Sequence, residues 1–155
     1  MLADTIAQSA ASSFREDKIM RFVACAIVVS AGVVGLIGSA LAVDMTGAEI
    51  KAFLTGKTIY LETTAASASG KAGQGVIYWA EDGNALYKTP TGAMFHGKWE
   101  IKGNTNCTAW KESPSTGCVR YDKTGDVVTV IDAASGQTRA KIVKSAAGNA
   151  EKLAP

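Results

Sequence analysis

Cysteine, histidine and proline are scarce in this chain of 155 residues, and their scarcity excludes several kinds of site. The sequence has three cysteines, one histidine and three prolines. No pair of cysteines has the C-x-x-C spacing of thioredoxin-like sites or the C-x-x-C-H spacing of haem attachment. The single histidine, His96, has no second histidine or free thiolate with which to share a metal ion. We therefore predict neither a metal site nor a cofactor.

A large excess of charge of one sign is also missing. Lysine and arginine together number 16, and aspartate and glutamate 14, which gives a net charge of +2. The two signs are interspersed, so the chain lacks the basic surface with which proteins bind nucleic acids. The nucleophile motif G-x-S-x-G is absent, and the sequence shows no acid-base partner for His96. We predict a non-enzymatic protein that binds no nucleic acid.

The chain does contain a long uncharged run, Phe22–Val43. Arg15, Lys18 and Arg21 precede it, and the small-residue triplet Ala40-Leu41-Ala42 closes it. A basic start, an apolar centre and an A-x-A ending are typical of a secretory signal peptide, with cleavage expected between Ala42 and Val43. A helix made of this run would rise about 33 Å, enough to cross a bilayer, so an uncleaved membrane anchor is the alternative.

Both alternatives place the rest of the chain on the same side of the membrane, because the positive charges stay in the cytoplasm. We expect residues 1–42 to be an N-terminal extension and signal peptide, and residues 43–155 to be a single β domain. The expected location is the bacterial periplasm or the exterior, and the alternative is a membrane-anchored protein that faces outside the cytoplasm. Contact with a membrane is expected only if residues 22–43 are not cleaved.

Cys107 and Cys118 remain after the predicted cleavage, since Cys25 lies within the signal peptide. Two neighbouring cysteines in an exported chain are most simply explained by a disulfide bond. Such a bond stabilises a fold by about 2 to 3 kcal/mol, mainly by restricting the unfolded chain. A redox role is the alternative, although the C-x-x-C spacing that favours it is missing.

A short helix is predicted near the start of the domain. Thr46 and Glu49 have the spacing of a capping box, and Gly56 supplies the left-handed residue that ends many helices. Three apolar residues between them fall on one helix face: Ile50, Phe53 and Leu54. This amphipathic helix is expected to cover one end of the structure that follows.

From Lys57 onward, apolar and polar residues alternate, and turn residues recur about every eight to twelve positions, as in all-β folds. The candidate strands are Thr58–Glu62, Gly75–Ala80, Ala85–Thr89, Met94–Lys102, Thr105–Lys111, Cys118–Asp122, Asp126–Ile131 and Thr138–Lys144. Short turns such as Gly103-Asn104 favour hairpins between successive strands. The predicted fold is mainly β, an antiparallel meander or small barrel of about seven to eight strands with one short N-terminal helix.

Two segments of the domain lack large side chains. Residues 63–74 are small and polar and are expected to form a flexible loop, which is either a binding loop or a solvated connector. Residues 145–155 contain Leu153 as their only large apolar residue, so this tail is expected to fray.

Aromatic residues are concentrated in the middle of the predicted sheet. Tyr78 and Trp79 are adjacent, so they point to opposite faces of a strand and cannot both serve one core. Such a set suits either stacking on a ligand or filling a core. The candidate contacts for a ligand or partner, with the histidine included, are Tyr78, Trp79, Tyr87, His96, Trp99, Trp110 and Tyr121.

A series of short motifs runs along the domain. They are Tyr78-Trp79, Glu81-Asp82-Gly83, Gly97-Lys98-Trp99-Glu100-Ile101, Cys107, Trp110 and Cys118-Val119-Arg120-Tyr121. This order resembles a group of small exported proteobacterial β proteins of unknown function, over residues 45–150. The resemblance implies the β fold and the exported location, without a reaction or ligand.

Two other groups are weaker matches. Lipocalins also carry G-x-W, but near their N-terminus, whereas here Gly97 and Trp99 lie in the middle of the chain. Small periplasmic inhibitors of proteases or lysozyme resemble the domain in size, export and single disulfide, but no inhibitory segment is identifiable.

The expected function is the binding of a protein partner or of a small apolar or aromatic ligand, without catalysis. The alternatives are a lipocalin-like carrier of a small apolar ligand and a periplasmic inhibitor of a hydrolase. A ligand carrier predicts an apolar cavity lined by Tyr78 or Trp79, by Trp99 and by Tyr121. A protein-binding module predicts a filled core and an exposed aromatic patch.

Overall fold

The computed structural model of the chain describes residues 42–113 and 117–154. The predicted N-terminal extension and signal peptide, residues 1–42, lie outside this part except for Ala42. Within the described residues, we find no helix with the length and apolar character needed to cross a bilayer.

The described chain is mainly β, with one short helix. Its elements are β1 (Val43–Asp44), α1 (Gly47–Leu54), β2 (Lys57–Thr63), β3 (Gly73–Trp79), β4 (Asn84–Lys88), β5 (Met94–Lys102), β6 (Thr105–Trp110), β7 (Gly117–Thr124), β8 (Val127–Asp132) and β9 (Thr138–Ala147). From β2 to β9, each strand pairs antiparallel with the next. Because β9 also pairs with β2, these eight strands close into a barrel. The barrel confirms the predicted fold class.

The first strand, β1, was not predicted. It is two residues long and pairs with β7 outside the barrel, where Val43 lies opposite Lys123 and Asp44 opposite Asp122. Arg120 of β7 supports this pairing, since its Nη1 lies 2.6 Å from a carboxylate oxygen of Asp44. Two residues are too few to show the alternation by which strands are recognised in a sequence.

The predicted capping box is present at the start of α1. The backbone N–H of Glu49 donates to Oγ1 of Thr46 at 3.3 Å, and the backbone N–H of Thr46 donates to Oε2 of Glu49 at 2.7 Å. Ile50 and Leu54 are fully buried in the core, and α1 packs against β2, β5 and β6. The helix therefore covers one end of the barrel, as expected.

The C-terminal tail is ordered by hydrogen bonds, and the expectation that it frays was wrong. Strand β9 continues to Ala147, and Leu153 is buried. The side chain of Asn149 donates to the carbonyl of Leu153 at 2.7 Å and accepts from its N–H at 2.9 Å. The N–H of Ala150 donates to Oγ1 of Thr58 at 2.9 Å. Hydrogen bonds therefore hold the tail in place, although its sequence contains few apolar residues.

The predicted disulfide bond is confirmed. Cys107 of β6 and Cys118 of β7 occupy directly opposed positions of neighbouring strands and are bonded to each other. The bond therefore cross-links β6 and β7 within their paired region.

Candidate functional site: a cavity inside the barrel

The two ends of the barrel are covered by different segments. Helix α1 lies where β2 begins, and we call this the helix end. Residues 64–72, which connect β2 to β3, lie where β2 finishes, and we call this the loop end. Because Thr63 of β2 pairs with Ala140 of β9, the start of β9 also lies at the loop end. Strand β7 runs in the same direction as β9, so Gly117 at its start lies there too.

An apolar cavity lies inside the barrel. The space in which the centre of a water molecule fits measures about 70 Å³. Its aromatic wall consists of Trp79, Tyr87, Trp110 and Tyr121, and its aliphatic wall includes Ile59, Leu61, Ile77, Val130 and Ile142. On the same measure, one water needs about 10 to 15 Å³. The cavity therefore has room for several waters, for one small ring or for a short chain.

Small residues make space for the aromatic wall. The strand register places Trp79 beside Ala85, Ala85 beside Gly97, and Gly97 beside Trp110. A Cβ atom on Gly97 would lie 2.8 Å from Cε3 of Trp110, so a side chain there would displace the indole ring. The rings of Trp79 and Trp110 consequently approach each other, with centroids 6.3 Å apart.

The cavity brings together four of the candidate contact residues, namely Trp79, Tyr87, Trp110 and Tyr121. Trp99 also faces the interior but lies outside the cavity wall. Its ring packs against Trp79 with centroids 5.5 Å apart, and its Nε1 donates to the carbonyl of Ala80 at 3.0 Å. Tyr78 is on the outer face of β3, opposite to Trp79, as expected for adjacent strand residues.

Tyr121 brings a buried hydroxyl to the wall. The side-chain amide of Asn106 donates to this hydroxyl at 3.3 Å. Burial raises the pKa of Tyr121 to about 12, and the hydrogen bond from Asn106 offsets only part of that rise. The phenol is therefore neutral at neutral pH and suits an apolar cavity.

Two hydrogen-bond donors on the wall have no partner among the described residues, Nε1 of Trp79 and Nε of Arg139. Trp79 is only 4% exposed, so bulk solvent does not reach its indole N–H. An unpaired buried donor costs about 1 to 3 kcal/mol. A bound molecule with an acceptor atom would remove that cost.

The connection of residues 64–72 takes part in the cavity wall. Ser67 and Ala68 line the cavity, and Ala68 packs against the core, although the sequence shows no packing residue there. Oγ of Ser113 donates to the carbonyl of Ala68 at 3.0 Å, and Oγ1 of Thr63 donates to the carbonyl of Lys71 at 2.8 Å. Small side chains allow this backbone to close over the barrel.

His96 lies away from the cavity, in a groove of about 290 Å³ on the outer face. Its Nδ1 is 2.6 Å from Oε1 of Glu112, and its backbone N–H donates to Oε2 of the same side chain at 2.6 Å. These hydrogen bonds lower the pKa of Glu112. Glu112 follows the end of β6, so only the folded hairpin shows that it is a partner of the histidine.

Across residues 42–113 and 117–154, no three His, Cys, Asp or Glu side chains are grouped so that they could hold a metal ion. No protein-family model, curated protein or solved structure matches this chain. The motifs that resemble small exported β proteins include barrel-building residues, such as Gly97 beneath the ring of Trp110 and the Cys107–Cys118 bond. The function is therefore inferred from the geometry of the cavity.

Proposed function

We propose that residues 43–155 form a non-catalytic binding domain that holds a small, mainly apolar ligand inside the barrel. The observation that carries this proposal is the apolar cavity of about 70 Å³ with its wall of four aromatic residues. Empty apolar space lowers stability, because the atoms around it lack contact partners. A small ring or short chain would supply those contacts, whereas a large ligand would not fit inside.

The polarity of the wall supports the same proposal. Small-molecule sites are mostly apolar and contain a few polar groups that orient the ligand. The unpaired Nε1 of Trp79 is such a group. Ser67, Gly117 and Arg139 are half-buried residues of the wall, so the ligand is expected to enter at the loop end.

Binding of a protein partner has less support. That function would need an exposed aromatic patch, but the large apolar side chains exposed in the described part of the chain are Val43, Val127 and Val143. These exposed residues are small and aliphatic, so they do not form the aromatic patch that a protein-binding surface would need.

Export is part of the proposal. It is supported by the signal-like pattern of residues 22–43 and by the disulfide bond, because disulfides persist mainly in oxidising compartments outside the cytoplasm. The domain would then bind its ligand in the periplasm or outside the cell.

Benzene is a suitable first probe, because apolar protein cavities can bind it. We expect titration with benzene to shift the indole N–H resonance of Trp79 in ¹H–¹⁵N spectra. The resonance of Trp99 serves as an internal reference, since its N–H is bonded to Ala80 outside the cavity wall. Equal shifts of both signals, or no shift of the Trp79 signal, would contradict the proposed binding.

A matched pair of variants locates the binding. Ala140 lines the cavity, whereas Ala109 is exposed on the outer face of β6. Ala140→Leu should abolish the benzene shift by filling the space, and Ala109→Leu should leave it unchanged. Loss of the shift in both variants would place benzene elsewhere and remove the support for a binding cavity.

A further inference from the structure

Arg139 enters the barrel through an irregularity in strand pairing. Between β8 and β9, Val130 lies opposite Ala140 and Ile131 lies opposite Thr138, so Arg139 is an extra residue in a β-bulge. In a regular strand, neighbouring side chains point to opposite faces, but here both Arg139 and Ala140 line the cavity. Bulges commonly redirect a side chain next to a functional site.

Asp132 holds the redirected arginine in place. Its Oδ2 accepts from Nη2 of Arg139. Its Oδ1 accepts from the N–H of Ala134 at 3.1 Å and from both the N–H and the hydroxyl of Ser135, at 2.6 and 2.8 Å. The hydrogen bonds from Ser135 come first among the causes that lower the pKa of Asp132 to about 2, and Arg139 adds to them. Asp132 therefore fixes the orientation of the guanidinium group through Nη2 and leaves Nε of Arg139 without a partner among the described residues.

Within the described part of the chain, the guanidinium group keeps one buried donor without a partner. A guanidinium carries five N–H donors. Nε of Arg139 is buried without a partner, and its side chain is 17% exposed. A Cβ atom on residue 117 would lie 3.1 Å from Nη2 of Arg139, but Gly117 has no such atom. Glycine at this position leaves room for the arginine side chain.

We infer that the ligand is a small monocarboxylate, whose apolar ring or chain fills the cavity and whose carboxylate accepts hydrogen bonds from Arg139. This inference rests on the proposed function. Arginine binds carboxylates through charge-assisted hydrogen bonds that are stronger than neutral ones. The arginine lies at the loop end, so the acid enters with its apolar part leading and its charged group remaining near the surface.

Three aromatic probes separate the charge from the shape. Benzoate carries the carboxylate, nitrobenzene has a similar shape without the net charge, and benzene tests the cavity alone. Dissociation constants are measured from the indole N–H shift of Trp79. We expect benzoate to bind about tenfold or more tightly than nitrobenzene.

Two single variants that each remove one positive charge test whether the preference for benzoate depends on Arg139. Arg139→Met should reduce the benzoate-to-nitrobenzene affinity ratio to about one. Lys141→Met removes a positive charge from the same strand at an exposed residue outside the cavity wall, and it should preserve the ratio. If Arg139→Met fails to fold because Asp132 is left unpaired, the double variant Arg139→Met/Asp132→Asn removes both charges and is measured instead.

The outcomes separate the two proposals. If benzene binds but benzoate shows no advantage over nitrobenzene, the carboxylate inference is wrong and the proposed cavity binding stands. If Lys141→Met lowers the ratio as much as Arg139→Met, the preference comes from general charge and the inference is also wrong. If none of the three probes binds, both proposals fail.

Discussion

The helix end and the loop end of the barrel are closed by different kinds of residue. At the helix end, Ile50 and Leu54 insert large aliphatic side chains that are 0% exposed. Gly47 lies so close to the neighbouring turn that a Cβ atom on it would be 2.0 Å from the carbonyl oxygen of Gly103. At the loop end, the small residues Ser67 and Ala68 cover the opening.

Under the proposed function, this difference would place stability and binding at opposite ends of one small fold. Large apolar side chains fill the space they cover, and their burial stabilises the barrel at the helix end. Small residues held by hydrogen bonds leave space beneath them, and segments with few apolar contacts open most readily. If the proposed ligand site lies beneath these residues, the loop end would open more readily than the helix end.

The largest expected effect tests the helix end. Leu54→Ala removes a fully buried side chain and should lower the free energy of unfolding by about 2 to 5 kcal/mol, measured by urea denaturation. Lys51→Ala, at an exposed position of the same helix, should change it by less than about 0.5 kcal/mol. Similar losses in both variants would mean that burial of Leu54 is not what stabilises this end.

At the cavity, a substitution is expected to raise the free energy of unfolding instead of lowering it. Ala140→Leu adds apolar atoms to empty space and should raise the free energy of unfolding by about 0.5 to 2 kcal/mol in the absence of ligand. The same substitution at exposed Ala109 should have little effect. A clear destabilisation by Ala140→Leu would indicate that the cavity cannot accept these atoms, and would weaken the contrast between the two ends.

Local patterns in the sequence predict the helix end well. The capping box of Thr46 and Glu49, the apolar face of Ile50 and Leu54, and the stop at Gly56 are all short-range features, and the structure contains each of them. The eight barrel strands and the disulfide are predictable for the same reason, since alternation, turns and cysteine spacing are local, whereas β1 is too short to show such a pattern. The barrel closure between β2 and β9 joins distant segments, so the sequence left meander and barrel as alternatives.

The loop end is less predictable. Alternation along β9 places Arg139 on the outside if Ala140 and Ile142 face inward, and only the bulge opposite Val130 and Ile131 changes this. A bulge depends on the pairing of two strands and leaves no mark in either strand alone. The aromatic set was recognisable from the sequence, but which members share the cavity depends on close approaches such as that of Gly97 to Trp110.

The smallest expected effect is the pH dependence of stability that the ion pair between Asp132 and Arg139 produces at the loop end. The pKa of Asp132 is about 2 in the folded protein, below its ordinary value of 3.8, mainly because of hydrogen bonds from Ser135 and then because of Arg139. A lowered folded-state pKa contributes stability that is complete above the ordinary value and is lost as the pH falls through the folded value. We therefore expect a loss on the order of 1 kcal/mol between about pH 4 and pH 2, since this ion pair is near the surface.

Asp132→Asn should be less stable than the wild type at pH 6, and this difference should shrink as the pH falls to 2. Urea denaturation at several pH values measures it, with Asp126→Asn at an exposed turn as the control that should show no such convergence. A difference that stays constant with pH would show that Asp132 acts through its shape and not its charge. In that case Arg139 would be held by packing alone, and the loop end would resemble the helix end more than its hydrogen bonds indicate.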